Sequence, residues 1–168
     1  MLLPRPALTA ATFWVFNVGM HGFMQRLFGQ LADRVGFDRL QEVELGVGIA
    51  VLALGTVWLG VRGGWRLAGI VATANVLAGL TFVTRAEGIH LVQYALVYML
   101  WARALVPRQA FWLTVGLGGV DEALQWAVLD PTHAGAVVDV RDCVLNFVGA
   151  LNGWALTAGR PGPKPRTG

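Results

Sequence analysis

Serine is absent from this 168-residue chain, cysteine occurs once, and charged residues make up only 14 %. The first absence excludes every serine-nucleophile mechanism. Cys143 has no second thiol to pair with, so no internal disulfide forms, and its apolar neighbours mark it as a small packed or lipid-facing residue. The scarcity of charge excludes more. With 55 % hydrophobic residues and a mean hydropathy of +0.57, the chain is too apolar for a soluble domain and reads as a polytopic membrane protein.

A net charge of +3 and a pI near 9.8 raise the question of nucleic acid. The basic residues stand in short loops between apolar runs, however, where membrane topology accounts for them, and no nucleic-acid partner is expected. Length predicts one domain over residues 1–168. No internal repeat is evident, and low complexity is confined to 160–168, a basic, Pro-rich tail expected to be disordered. The segment Met1–Ala10 has two prolines and no apolar run, so the first helix is expected to stay as a signal anchor.

The predicted fold is all-α, a transmembrane bundle of six spans, with five if the first segment lies in the interface. The spans run over 7–27, 45–61, 67–83, 87–102, 110–128 and 139–158. Between the first two, Gly29–Glu44 carries Asp33, Arg34, Asp38, Arg39, Glu42 and Glu44 and predicts a short amphipathic or interfacial helix. Arg62-Gly-Gly-Trp-Arg66 predicts a tight basic turn, and Pro107 breaks the chain between the fourth and fifth spans. Several of the seven tryptophans lie near segment ends, as interfacial anchors do.

Six spans put both termini on one side, together with Arg5, Arg62, Arg66, Arg103, Arg108, Arg160, Lys164 and Arg166 and no acid. By the positive-inside rule that side is cytoplasmic. The outer half of the membrane then receives three polar stripes. Glu87, His90 and Tyr94 share one face of the fourth span, and Glu122 and Gln125 one face of the fifth, where Asp121 adds a further acid. On the sixth, Asp139, Asp142, Asn146, Gly149 and Gly153 fall within roughly 80° of the helical wheel. The first span carries Asn17, His21 and Gln25 on one face, which predicts that it packs on protein. Gly149, Gly153, Gly116 and Gly119, and the face Ala68, Ala72, Asn75 and Gly79, read as close-packing surfaces.

These motifs resemble those of the VanZ-like family of small bacterial membrane proteins. The resemblance lies in Glu87-Gly-Ile-His90-Leu-Val-Gln-Tyr94, in Asp121-Glu122-Ala-Leu-Gln125, and in Asp139-x-x-Asp142-x-x-x-Asn146-x-x-Gly149-x-x-x-Gly153. It covers residues 86–156. Family members often carry an Arg shortly before the first Asp of the last motif, where this chain has Ala134-Gly135-Ala136; Arg141 lies between the two acids instead. The family is named for a protein linked to resistance to the glycopeptide teicoplanin. The resemblance therefore implies a multi-pass protein of the bacterial inner membrane, facing the cell envelope, without implying a reaction.

Three roles fit Glu87, His90, Tyr94, Glu122, Gln125, Asp139, Asp142 and Asn146. Polar groups within lipid at one depth mark a functional site by default, here for a lipid headgroup, a lipid-linked cell-wall precursor or a drug at the outer leaflet. Alternatively, a divalent metal on the carboxylates and His90, or Glu122 as base with His90 as acid, would make a hydrolase or transferase. No paired-His motif is present, so no metal ligands are assigned and no cofactor is named. The third role is structural, with acids and carboxamides bonding across helices to fix their packing.

Overall fold

The computed structural model describes residues 5–80, 88–125, 127 and 140–158. Glu87, Asp139, the 130–135 loop and the 160–168 tail lie outside the described residues, as do the side chains of His21 and Gln25. Among the described residues the chain is all-α, with six helices: α1 Arg5–Val35, α2 Phe37–Gly63, α3 Trp65–Gly79, α4 Ile89–Trp101, α5 Pro107–Leu124 and α6 Val140–Thr157.

The polar stretch expected as a separate interfacial helix is instead divided between its neighbours. α1 continues to Val35 and α2 begins at Phe37, so Asp33 and Arg34 close one helix while Asp38 and Arg39 open the next. Gly36 joins them with φ +92°, a conformation that other L-residues avoid. Charge here falls at helix ends, with Asp38 in the first turn of α2 and Arg34 in the last turn of α1, where each complements the helix dipole. The basic turn after α2 is as tight as its glycines predict. Gly64, also at φ +92°, is the one residue between α2 and α3.

Pro107 sits in the first turn of α5, where its missing N–H removes no hydrogen bond, so the break after α4 is also a helix start. At ~1.5 Å per residue, α1 and α2 reach roughly 46 and 40 Å, against about 20 Å for α4.

α6 is the centre of the bundle. It packs against α4, α5 and α3 and touches α2, while α1 lies on α4 and α2. The α4–α6 crossing is close because α6 offers glycine where α4 presents backbone. A Cβ on Gly149 would stand 2.9 Å from the His90 carbonyl oxygen, and one on Gly153 2.6 Å from that of Ala95. Tyr94, Val97, Tyr98 and Leu145 are fully buried along this seam.

On α5 the close-packing glycine is Gly118, whose Cβ would meet Asn146 at 2.8 Å; Gly116 and Gly119 face open space. The buried face of α3 runs through Ala68, Val71 and Ala78, and Gly79 is exposed. Asn75 and Asn152 join α3 to α6 through reciprocal amide hydrogen bonds of 2.7 and 2.9 Å.

Among the described residues α2 alone is long and apolar enough to cross a membrane by length and composition, and only 12 % of its apolar segment is buried inside the protein. Val43, Leu45, Val47, Ile49, Val51, Leu54, Val57 and Val61 are each 44–75 % exposed and distribute around the helix. The remaining helices are short, as α4 is, or carry charge, as α5 does at Asp121 and Glu122.

Candidate functional site

The polar side chains of α4, α5 and α6 meet where the three helices cross. His90, Asp121, Glu122 and Asn146 are each at most 4 % exposed; the other buried polar residue among those described, Thr114, bonds back to the Ala110 carbonyl of its own helix. Burying such groups without partners would cost several kcal/mol each, so the helices must supply the hydrogen bonds.

Asn146 is the hub. Its Nδ2 donates to the Glu122 carboxylate at 3.2 Å and, more weakly, to the Gly118 carbonyl at 3.4 Å. Both partners accept, which fixes the orientation of the amide. Its Oδ1 therefore faces His90 Nδ1, at 2.9 Å. An amide oxygen only accepts, so Nδ1 carries a proton and donates it to Asn146. His90 Nδ1 also stands 4.0 Å from Glu122 Oε1.

The second half of the cluster is organised by Asp121. Tyr94 donates its hydroxyl to Oδ2 at 2.7 Å, and Gln125 donates Nε2 to Oδ1 at 3.2 Å. The i, i+4 spacing within α5 places Gln125 beside Asp121, and Tyr94 reaches across from one turn beyond His90 on α4. Two adjacent acids on α5 thus serve two circuits, Glu122 with Asn146 and His90, Asp121 with Tyr94 and Gln125.

Asp142 is half-buried, one turn before Asn146 on α6. His90, Glu122 and Asp142 each offer one ligand atom within 4.8 Å of the other two. Donors around a bound zinc at ~2.0–2.2 Å in tetrahedral geometry stand about 3.3 Å apart. The trio is therefore wider than a loaded site by about the reach of one side-chain rotation.

His90, Tyr94, Glu122, Gln125, Asp142 and Asn146 are thus brought to one place from three helices. Glu87 and Asp139 lie outside the described residues. Asp121 is not among the site residues expected from the sequence, yet it accepts two side-chain hydrogen bonds there. The signal that points to it is its i, i+4 relation to Gln125, alongside the i, i+3 relation of Glu122. Arg141, which stands between the two acids of the last motif, is exposed. Comparison with protein-family models, curated proteins and solved structures finds no match to this chain.

Proposed function

We propose that this chain is a multi-pass protein of the bacterial inner membrane, similar to the VanZ-like family, that binds a polar envelope ligand in the cluster between α4, α5 and α6. The ligand class is a lipid headgroup or a lipid-linked cell-wall precursor, met in the outer half of the bilayer. The observation that carries the reading is the burial of His90, Asp121, Glu122 and Asn146 together between three helices of an apolar chain. Two circuits with two adjacent acids exceed what packing alone requires, since an apolar seam of the same shape would hold the helices as well.

The bilayer part rests on α2. An apolar helix that the protein leaves uncovered on most of its circumference is stable when lipid covers it. Leaving its large side chains in water would forgo roughly 1–2 kcal/mol apiece. At its end Arg62 lies 5.0 Å over the Trp58 ring and Trp65 is exposed, an aromatic and cationic pairing suited to the membrane interface.

With Asp121, Glu122 and Asp142 the cluster is acidic, so ammonium, hydroxyl or amide groups suit it better than bare phosphate. The test is extraction and mass spectrometry of whatever accompanies the purified protein. An envelope lipid or lipid-linked precursor is expected with the wild type and is missing from Glu122→Gln. Identical bulk lipid in both preparations contradicts the proposal.

A second reading is favoured by one observation, the approach of His90, Glu122 and Asp142 within 4.8 Å. One imidazole and two carboxylates suit a divalent metal such as Zn²⁺ or Mn²⁺, and a metal there would make the site a hydrolase or transferase for a lipid-linked substrate. Elemental analysis separates the two. About one ion per chain, lost in His90→Ala and Asp142→Ala, favours the enzyme; no retained metal after loading with Zn²⁺ or Mn²⁺ excludes that reading.

A further inference from the structure

The far end of α4 carries a second arrangement, unrelated to the acidic cluster. Arg103, two residues past the end of α4, and Arg5, at the start of α1, line one cleft of about 230 Å³ with Pro6, Thr9 and Leu100. No carboxylate lines it, and among the described residues neither guanidinium is ion-paired with an acid. Two cations with no counterion among the described residues, on an apolar chain, suit an anion from outside. The first turn of α1 adds the positive end of its dipole.

Thr9 also belongs to an adjoining groove of about 460 Å³, whose other walls are Leu8, Thr12, Phe13 and Phe16. These residues form one face of α1, and the groove extends roughly 10 Å along the helix from Thr9 to Phe16. Cations at one end and an open, largely apolar face of α1 leading away from them match a single kind of molecule, one with an anionic head and an acyl tail.

We infer that Arg5 and Arg103 hold the phosphate of an anionic phospholipid, with one acyl chain lying in the α1 groove. A guanidinium donates two parallel hydrogen bonds to phosphate oxygens, so the pair offers more than a diffuse positive surface. Arg103 lies about 20 Å along the α4 direction from His90, so the lipid occupies the opposite leaflet to the ligand of the acidic cluster. On the proposed topology this is the cytoplasmic leaflet, where basic clefts between helices meet anionic headgroups. The inference rests on the chain lying in a bilayer and is independent of what the acidic cluster binds.

The test is native mass spectrometry of the full chain released from bilayer discs of phosphatidylcholine containing one-fifth dioleoyl phosphatidylglycerol. The wild type is expected to retain one phosphatidylglycerol per chain, at least tenfold over phosphatidylcholine. Arg5→Ala with Arg103→Ala abolishes that preference, whereas Arg66→Ala and Arg108→Ala, cations assigned to the same side, keep it. Excess glycerol phosphate does not displace the lipid, because it lacks the acyl chain; displacement would reduce the site to a phosphate contact and overturn the lipid assignment. Absence of a phosphatidylglycerol preference in the wild type overturns the inference whether or not the double variant folds. Retention by a folded double variant does so equally.

Discussion

The Tyr94 hydroxyl, fully buried on α4, donates to Oδ2 of Asp121 on α5 at 2.7 Å. Gln125 holds the other oxygen of the same carboxylate at 3.2 Å, so the acid is gripped from its own helix and from a neighbour. Removing the hydroxyl in Tyr94→Phe leaves Oδ2 buried with one partner fewer. We expect a loss of about 1–3 kcal/mol, read as a lower thermal midpoint in detergent. Asp121→Asn, whose amide oxygen can still accept from Tyr94, costs less. An unchanged midpoint in Tyr94→Phe would show that the pair contributes nothing to the fold.

The glycines of α6 and α5 make a matched pair of expectations. Gly149→Ala and Gly153→Ala push a methyl against the carbonyls of α4 and should destabilise by about 1–3 kcal/mol each. Gly116→Ala and Gly119→Ala meet open space and gain helix propensity of up to ~1 kcal/mol. Chemical or thermal unfolding of the four variants checks this, and equal effects in both pairs would contradict the close α4–α6 crossing.

Legibility in the sequence follows the physics of single helices. Phase along one helix is local, so residue spacing alone defines the stripes His90/Tyr94, Glu122/Gln125 and Asp142/Asn146, and the three meet as that spacing implies. Apolar runs likewise mark six helices. What pairs with what is not legible in spacing. Choosing between the adjacent acids Asp121 and Glu122 needs the azimuth of α5 against Tyr94, which no local pattern carries. The same ambiguity points to Gly116 and Gly119 as the α5 packing glycines in place of Gly118, and rotates the α3 face by about one residue from its true end at Ala78. The 29–44 stretch reads as a separate helix because its charges stop the apolar pattern, yet backbone helicity continues through charge on both sides of Gly36.

Asn75 and Asn152 exchange both of their side-chain hydrogen bonds. A double-mutant cycle with Asn75→Ala and Asn152→Ala should give a coupling of about 0.5–1.5 kcal/mol, the range for polar pairs between helices in membranes. Strict additivity of the two single variants would show that the pair does not couple α3 to α6.

Topology is tested at the two single-residue junctions. On the proposed topology, with α2 as the crossing helix, reporter domains inserted after Gly36 should be active outside the cytoplasm and those inserted after Gly64 within it. Both reporters on the same side would remove α2 as a crossing helix and with it the bilayer reading.

The central claim is that the acidic cluster binds a ligand rather than only fixing helix packing, and Glu122→Gln separates the two most directly. Gln keeps an Oε1 acceptor for Asn146 and removes one charge from a crowded acidic site, so packing alone predicts little change and binding predicts a large one. The measurement is ligand retained per chain together with the thermal midpoint, on the same purified samples. We predict that retention of the co-purifying envelope lipid falls at least tenfold while the midpoint stays level or rises. Undiminished retention, whatever the midpoint does, would contradict the account and leave the cluster as a packing device.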